Sequence, residues 1–107
     1  GLPTSSYTFK GFPPRKSGQR QTFFARESEL APTLVCFEAP NRVADTLSDA
    51  LEALGDRKAA VCLELTKLHQ RVKRGYLSDL VSAIAEEPLK GEATIVIAGN
   101  NRKFIRR

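Results

Sequence analysis

The strongest periodicity in the chain lies between Val43 and Leu54. There Val43, Leu47, Ala50, Leu51 and Leu54 recur at i, i+4, i+7, i+8 and i+11, which is one face of an α-helix. Asn41 stands where an N-cap belongs and Gly55 where a helix closes. A second amphipathic helix is predicted from Ser78, with Leu80, Val81 and Ile84 on its apolar face and Pro88 as its stop. A third occupies the later half of Arg15–Leu30, carries Phe23, Phe24 and Leu30, and ends at Ala31-Pro32.

Between these helices the pattern changes to short continuous apolar runs. Thr33–Phe37, Lys58–Leu65 and Glu92–Ala98 are rich in β-branched residues and read as strands buried on both faces. Gln70–Leu77 is a weaker strand, and Tyr7 and Phe9 alternate in a short one, with Phe12 a possible further member, ended by Pro13-Pro14. The predicted order is β-α-β-α-β-β-α-β. Apolar strands alternating with amphipathic helices indicate an α/β fold, and the adjacent strand pair indicates a mixed sheet of about five strands with helices packed on it. Residues 1–14 read as a connecting segment and first strand, 15–99 as the α/β domain, and 100–107 as a basic tail.

Composition adds bounds. The chain has 107 residues, 41% hydrophobic and 27% charged, which suits one globular domain. No apolar run is long enough to span a bilayer. Methionine is absent, so a fragment of a longer protein is expected, working in a reducing cytoplasm with Cys36 and Cys62 as free thiols. Two distant cysteines and the single His69, read as an exposed loop residue, make no zinc set, so no metal is expected. The net charge of +5 is unevenly spread: residues 1–26 hold five bases and no acid, 27–69 four bases and eight acids, and 70–107 eight bases and four acids. Basic ends of this kind are compatible with a nucleic-acid footprint.

Chemistry-bearing motifs are sparse. The chain has no glycine-rich nucleotide loop, no nucleophile elbow and no histidine-based triad, and no catalytic residue can be named. Glu38 and Glu64 stand at or near the ends of apolar strands, where open α/β sheets place ligands. They serve a ligand there, or they cap backbone amides or pair with Arg42 and Lys67 at the sheet edge. Arg42 falls in a first helical turn, where the dipole disfavours a cation, so it needs an acidic partner. The stretch "ELTKLHQRVKRGY" at 64–76 is either a solvated hairpin or a surface that meets an anion.

The blocks "TLVCFEAPNR", "LELTKLHQRVKRGYL" and "KGEATIVIAG", in this order and spacing, resemble the C-terminal domain of the tetrapyrrole methylases. The resemblance runs from Gly1 to Gly99 and is strongest to members that methylate a ribose 2′-hydroxyl of small-subunit ribosomal RNA. Ala39 and Asn41 depart from the family's usual E-S-P-H-R block, and Leu63 replaces a frequent arginine.

The resemblance implies an S-adenosylmethionine-dependent methyltransferase whose cofactor lies between two α/β domains. The glycine-proline-rich loop of the first domain is missing here, so cofactor binding would need that N-terminal domain. Carried over by position, the cofactor contacts would be Phe37, Glu38, Leu65, Thr66 and Glu92 (or Ala93), and the RNA contacts Arg42, Lys67, Arg71, Lys73 and Arg74. The implied partners are ribosomal RNA or the small subunit, the protein's own N-terminal domain, and a second copy in a homodimer, with no membrane. The alternatives are a corrin or porphyrin precursor methylase domain and a non-catalytic RNA-binding module.

Overall fold

A computed structural model of the chain describes residues 7–30, 32–66, 69–86 and 91–106. The expected order is present, with one addition at the C-terminus. Strand β1 (Tyr7–Phe9) leads to helix α1 (Ser17–Ala25), β2 (Thr33–Glu38), α2 (Val43–Leu54), β3 (Asp56–Thr66), β4 (His69–Tyr76), α3 (Leu77–Glu86) and β5 (Glu92–Ile97). A 3₁₀ turn at Arg102–Phe104 then precedes a short β6 (Ile105–Arg106) that pairs with the start of β3. The stretch read as a basic tail therefore docks on the domain through residue 106.

The sheet is mixed and six-stranded, with β1-β2-β5-β3-β4 as its main order. β1 runs parallel to β2, and the other neighbours are antiparallel. Side chains alternate across it. Leu34 and Cys36 of β2, Ala59, Val61 and Leu63 of β3, and Ala93, Ile95 and Ile97 of β5 are all buried on one face. The three helices pack on that face, contributing Phe24 from α1, Val43, Leu47, Ala50 and Leu54 from α2, and Leu77, Leu80 and Ile84 from α3. Each of these side chains except Ala50 contributes about 1.5–3 kcal/mol by leaving water. Leu30, assigned to the first helix from sequence, lies beyond it and is exposed.

The strands are not buried on both faces. Across the second face the paired residues Phe37, Thr94, Cys62 and Val72 form one row, and Val35, Val96, Ala60 and Arg74 the next. Phe37 is 40% exposed and Val72 43%, because no helix covers this side of the sheet among the described residues. A continuous apolar run predicted two covers, and the fold supplies one.

Local starts and stops also differ from expectation. Pro40 at the first position of a 3₁₀ turn (Pro40–Arg42) places Asn41 inside the turn, so Arg42 and not Asn41 is the N-cap of α2. Gly55 closes α2 with φ +83°, a left-handed angle that glycine adopts without strain, and its N–H donates to Leu51 O at 3.0 Å. Ser78 does not cap α3, which begins at Leu77. Asp56, far away in sequence, accepts the Ser78 N–H at 2.9 Å and the Ser78 hydroxyl at 2.6 Å. His69 opens β4 and is not a loop residue.

Candidate functional site

The sheet's uncovered face ends in a groove of about 680 Å³ at the C-terminal ends of β2 and β3 and the N-terminal end of β5. Its floor is the row Phe37, Thr94, Cys62 and Val72. Ala39 and Pro40 form one wall and Phe12 another, and Glu92 stands exposed at the rim. The Phe12 and Phe37 rings lie 5.8 Å apart, and Phe9 meets Phe37 edge-on at 5.0 Å. Such pairs are about 0.5–1.5 kcal/mol more favourable than their buried area implies. They set an aromatic edge beside a largely apolar floor.

The turn that walls the groove is held by a carboxylate. Glu38 is 3% exposed, and its side chain lies on the helix-covered face. Oε1 accepts the Ala39 N–H at 2.9 Å and Arg42 Nε at 3.2 Å, while Oε2 accepts the Thr46 hydroxyl at 2.7 Å. Arg42 thus finds the acidic partner that its place at the helix start required. Burial, and then the nearby Glu38 charge, push the neighbouring Cys36 thiol up to about 12, which leaves it unreactive at neutral pH.

The opposite wall is fixed through α1. Arg20, 3% exposed, donates to the carbonyls of Pro14 at 3.1 Å and Arg15 at 2.7 Å. Its other Nη meets Asp49 Oδ2 of α2 at 2.7 Å. Asp49 also accepts from Ser17 at 2.9 Å and Gln21 at 3.0 Å. Burial raises this carboxyl's pKa, but the bonds from Gln21, Ser17 and Arg20 outweigh it and hold the group below 3.8. The network ties the 10–16 segment, and with it Phe12, to two helices.

Of the expected cofactor contacts, Phe37, Glu38, Glu92 and Ala93 border the groove. Leu65 and Thr66 end β3, but their side chains lie outside the described residues, as do the side chain of Glu64 and the whole of Lys67. The expected RNA contacts do not share a surface. Arg74 pairs with Ala60 on the groove face, whereas Arg71 and Lys73 pair with Leu63 and Val61, whose side chains point to the helix-covered face. Arg42 binds Glu38 and is no part of the lining. Sequence reasoning missed Phe12, Cys62, Val72 and Thr94; cross-strand register is the only signal for the last three, and Phe12, outside any strand, is placed by its ring contact with Phe37.

Among the described residues no cluster of His, Cys, Asp or Glu is arranged to hold a metal. None of the described helices is long and apolar enough to cross a membrane. The groove is built to take an apolar or flat group and orient it.

An α/β domain with a half-covered mixed sheet and a groove at its strand ends is the class that geometry defines. No family model matches the chain. Curated relatives do. Over 99 residues, 92% of the chain, it is 40% identical to ribosomal RNA small subunit methyltransferase I of Streptococcus pyogenes serotype M1, and covers 34% of that protein. Over 103 residues it is 40% identical to the protein of that name from Halalkalibacterium halodurans, covering 96% of the chain and 36% of the relative. Over 100 residues it is 47% identical to the one from Mycobacterium tuberculosis, covering 92% of the chain and 35% of the relative. The chain is thus similar to one part of these relatives and spans about a third of the length of the curated relatives it matches.

Proposed function

We propose that the chain is the C-terminal domain of an S-adenosylmethionine-dependent methyltransferase that modifies a ribose 2′-hydroxyl of small-subunit ribosomal RNA in the cytoplasm. The observation that carries this is the uncovered groove at the strand ends, in a chain 40–47% identical to a third of proteins named for that substrate. One face of the sheet lacks a cover, and the relatives are about three times longer. The cofactor then lies between this face and the N-terminal domain, in a protein that works as a homodimer.

In this reading Phe37 and Phe12 offer the cofactor an apolar edge, with Glu92, Ala93 and the ends of β3 at Leu65 and Thr66 beside it. Glu38 positions the Ala39-Pro40 wall. S-adenosylmethionine supplies an activated methyl group, and the domain's part is to orient it and exclude water, which lowers the barrier by fixing the near-attack geometry. In the same reading Arg74, opposite Ala60 on the groove face, meets the RNA backbone.

The test is methyl incorporation from labelled S-adenosylmethionine into small-subunit RNA by the full-length protein, wild type and Phe37→Ala. Label at a ribose 2′-oxygen, lost in step with cofactor affinity in Phe37→Ala, is expected. Label on a tetrapyrrole, or no transfer at all, would overturn the reading.

A further inference from the structure

A second concavity, of about 720 Å³, lies between the 10–16 segment and the outer side of α1. That size is within the ~300–1,000 Å³ of clefts that hold ligands. Its lining includes Lys10, Lys16, Phe23, Arg26 and Glu27. Glu27 is the only acid there among the described residues, and Lys10 Nζ meets it at 2.6 Å, so these two charges cancel. Lys16 and Arg26 form no ion pair among the described residues. Arg20, buried nearby, is neutralised by Asp49. The net charge of the groove is therefore that of Lys16 and Arg26.

Phe23 contributes an aromatic face to the same cleft, and Gly18 leaves its floor open, with nothing within 4 Å of where a side chain would sit. Two cations with no ion pair among the described residues, beside a partly buried ring, match the phosphates and bases of a single strand better than they match a carboxylate-rich peptide, which has no base to stack. Position supports the same occupant. The 10–16 segment presents Phe12 to the apolar groove and Lys10, Pro14 and Lys16 to this one, so the two clefts share a wall.

We propose that this cleft holds the phosphodiester backbone of a single-stranded RNA, with Lys16 and Arg26 as its phosphate contacts. The proposal rests on the RNA reading above and adds a surface outside the hairpin at 69–76.

The experiment measures affinity of the full chain for an unstructured ten-nucleotide oligouridylate across a potassium chloride series. Each phosphate contacted on a single strand contributes about 0.7 to the log–log salt slope. Lys16→Gln/Arg26→Gln should flatten the slope by about 1.4. Glu27→Gln, which releases Lys10, should steepen it by about 0.7. Arg102→Gln/Lys103→Gln removes the same charge outside the cleft and should leave the slope in place. Wild-type binding with an unchanged slope in the Lys16/Arg26 variant overturns the cleft and spares the RNA reading. Equal flattening by the Arg102/Lys103 variant, or displacement of the RNA by polyglutamate of equal charge, also overturns it. Absence of any wild-type binding overturns the cleft as well, while the RNA reading itself stands or falls on methyl incorporation by the full-length protein.

Discussion

Thr46 Oγ1 donates to Glu38 Oε2 at 2.7 Å, joining the last residue of β2 to the first turns of α2 beneath the groove wall. Both residues are buried, Thr46 completely. A carboxylate removed from water depends on each donor it keeps, and losing one leaves an under-satisfied charge. Thr46→Val, which preserves shape, is expected to cost about 1–3 kcal/mol. Arg42→Ala should cost less, because that arginine is partly exposed and solvent can replace it. Urea unfolding of both variants checks the order. A Thr46→Val protein as stable as wild type would mean that the bond does not hold the turn.

The acid behaviour of the domain should report Asp49 and Asp56. Burial raises both, but hydrogen bonds from Gln21, Ser17 and Arg20 on Asp49, and from Ser78 and Arg106 on Asp56, bring them below 3.8. A carboxyl depressed in the folded state stabilises the fold fully above its unfolded pKa and loses that contribution as pH falls through the folded value. Melting temperature should therefore fall at pH below 3.8. The gap between wild type and Asp49→Asn should be widest at neutral pH and close in acid. A gap that stays constant down to pH 2 would contradict the coupling.

The two cysteines should separate cleanly. Cys36 is fully buried with its thiol pushed up to about 12, whereas Cys62 lies half-buried on the floor of the groove. Iodoacetamide on the native protein should add one label, at Cys62, and two after denaturation. Peptide mass mapping that finds Cys36 labelled in the native state would show the β2–α2 interface open.

These contrasts mark what the sequence makes legible. The α2 face at Val43, Leu47, Ala50 and Leu54 is periodic, and its burial follows from that alone. The element order was equally readable, since each apolar run is bounded by proline, glycine or a cap. Which strand face stays open was not. Phe37 and Cys36 are adjacent and both apolar, and only the one-sided helix layer separates an exposed ring from a buried thiol. Long-range partners were also hidden. Asp56 caps α3 across 22 residues, and Arg106 returns across 50 to the same carboxylate. No local pattern announces that Arg20 and Arg57 are buried, because each is satisfied by carbonyls that the fold brings together.

Removing the ring of Phe12 should test the groove without unfolding the domain. Phe12 is 66% exposed, so Phe12→Ala should cost far less than the ~3–5 kcal/mol of a buried phenylalanine. Leu47→Ala, fully buried, should cost about 2–5 kcal/mol. In the full-length protein, calorimetry should show Phe12→Ala weakening S-adenosylmethionine and Leu47→Ala leaving any residual folded fraction with ordinary affinity. The reverse pattern would move the cofactor away from this face.

The β3–β4 hairpin gives the last test, because its register divides the basic residues. Arg74 stands opposite Ala60 on the open face, while Arg71 and Lys73 stand opposite Leu63 and Val61 on the other. An RNA strand lying over the groove can reach Arg74 without touching the far face. Each phosphate contact contributes about 0.7 to the salt slope of single-strand binding. Arg74→Gln should therefore flatten that slope by about 0.7 in the full-length protein, and combining it with Lys16→Gln/Arg26→Gln should add the two effects, since the sites share no contact. Arg71→Gln/Lys73→Gln should change the slope less than Arg74→Gln alone, although it removes twice the charge. If the double variant produces the larger effect, RNA approaches the hairpin from its helix-covered side, and the groove face is not where the substrate lies.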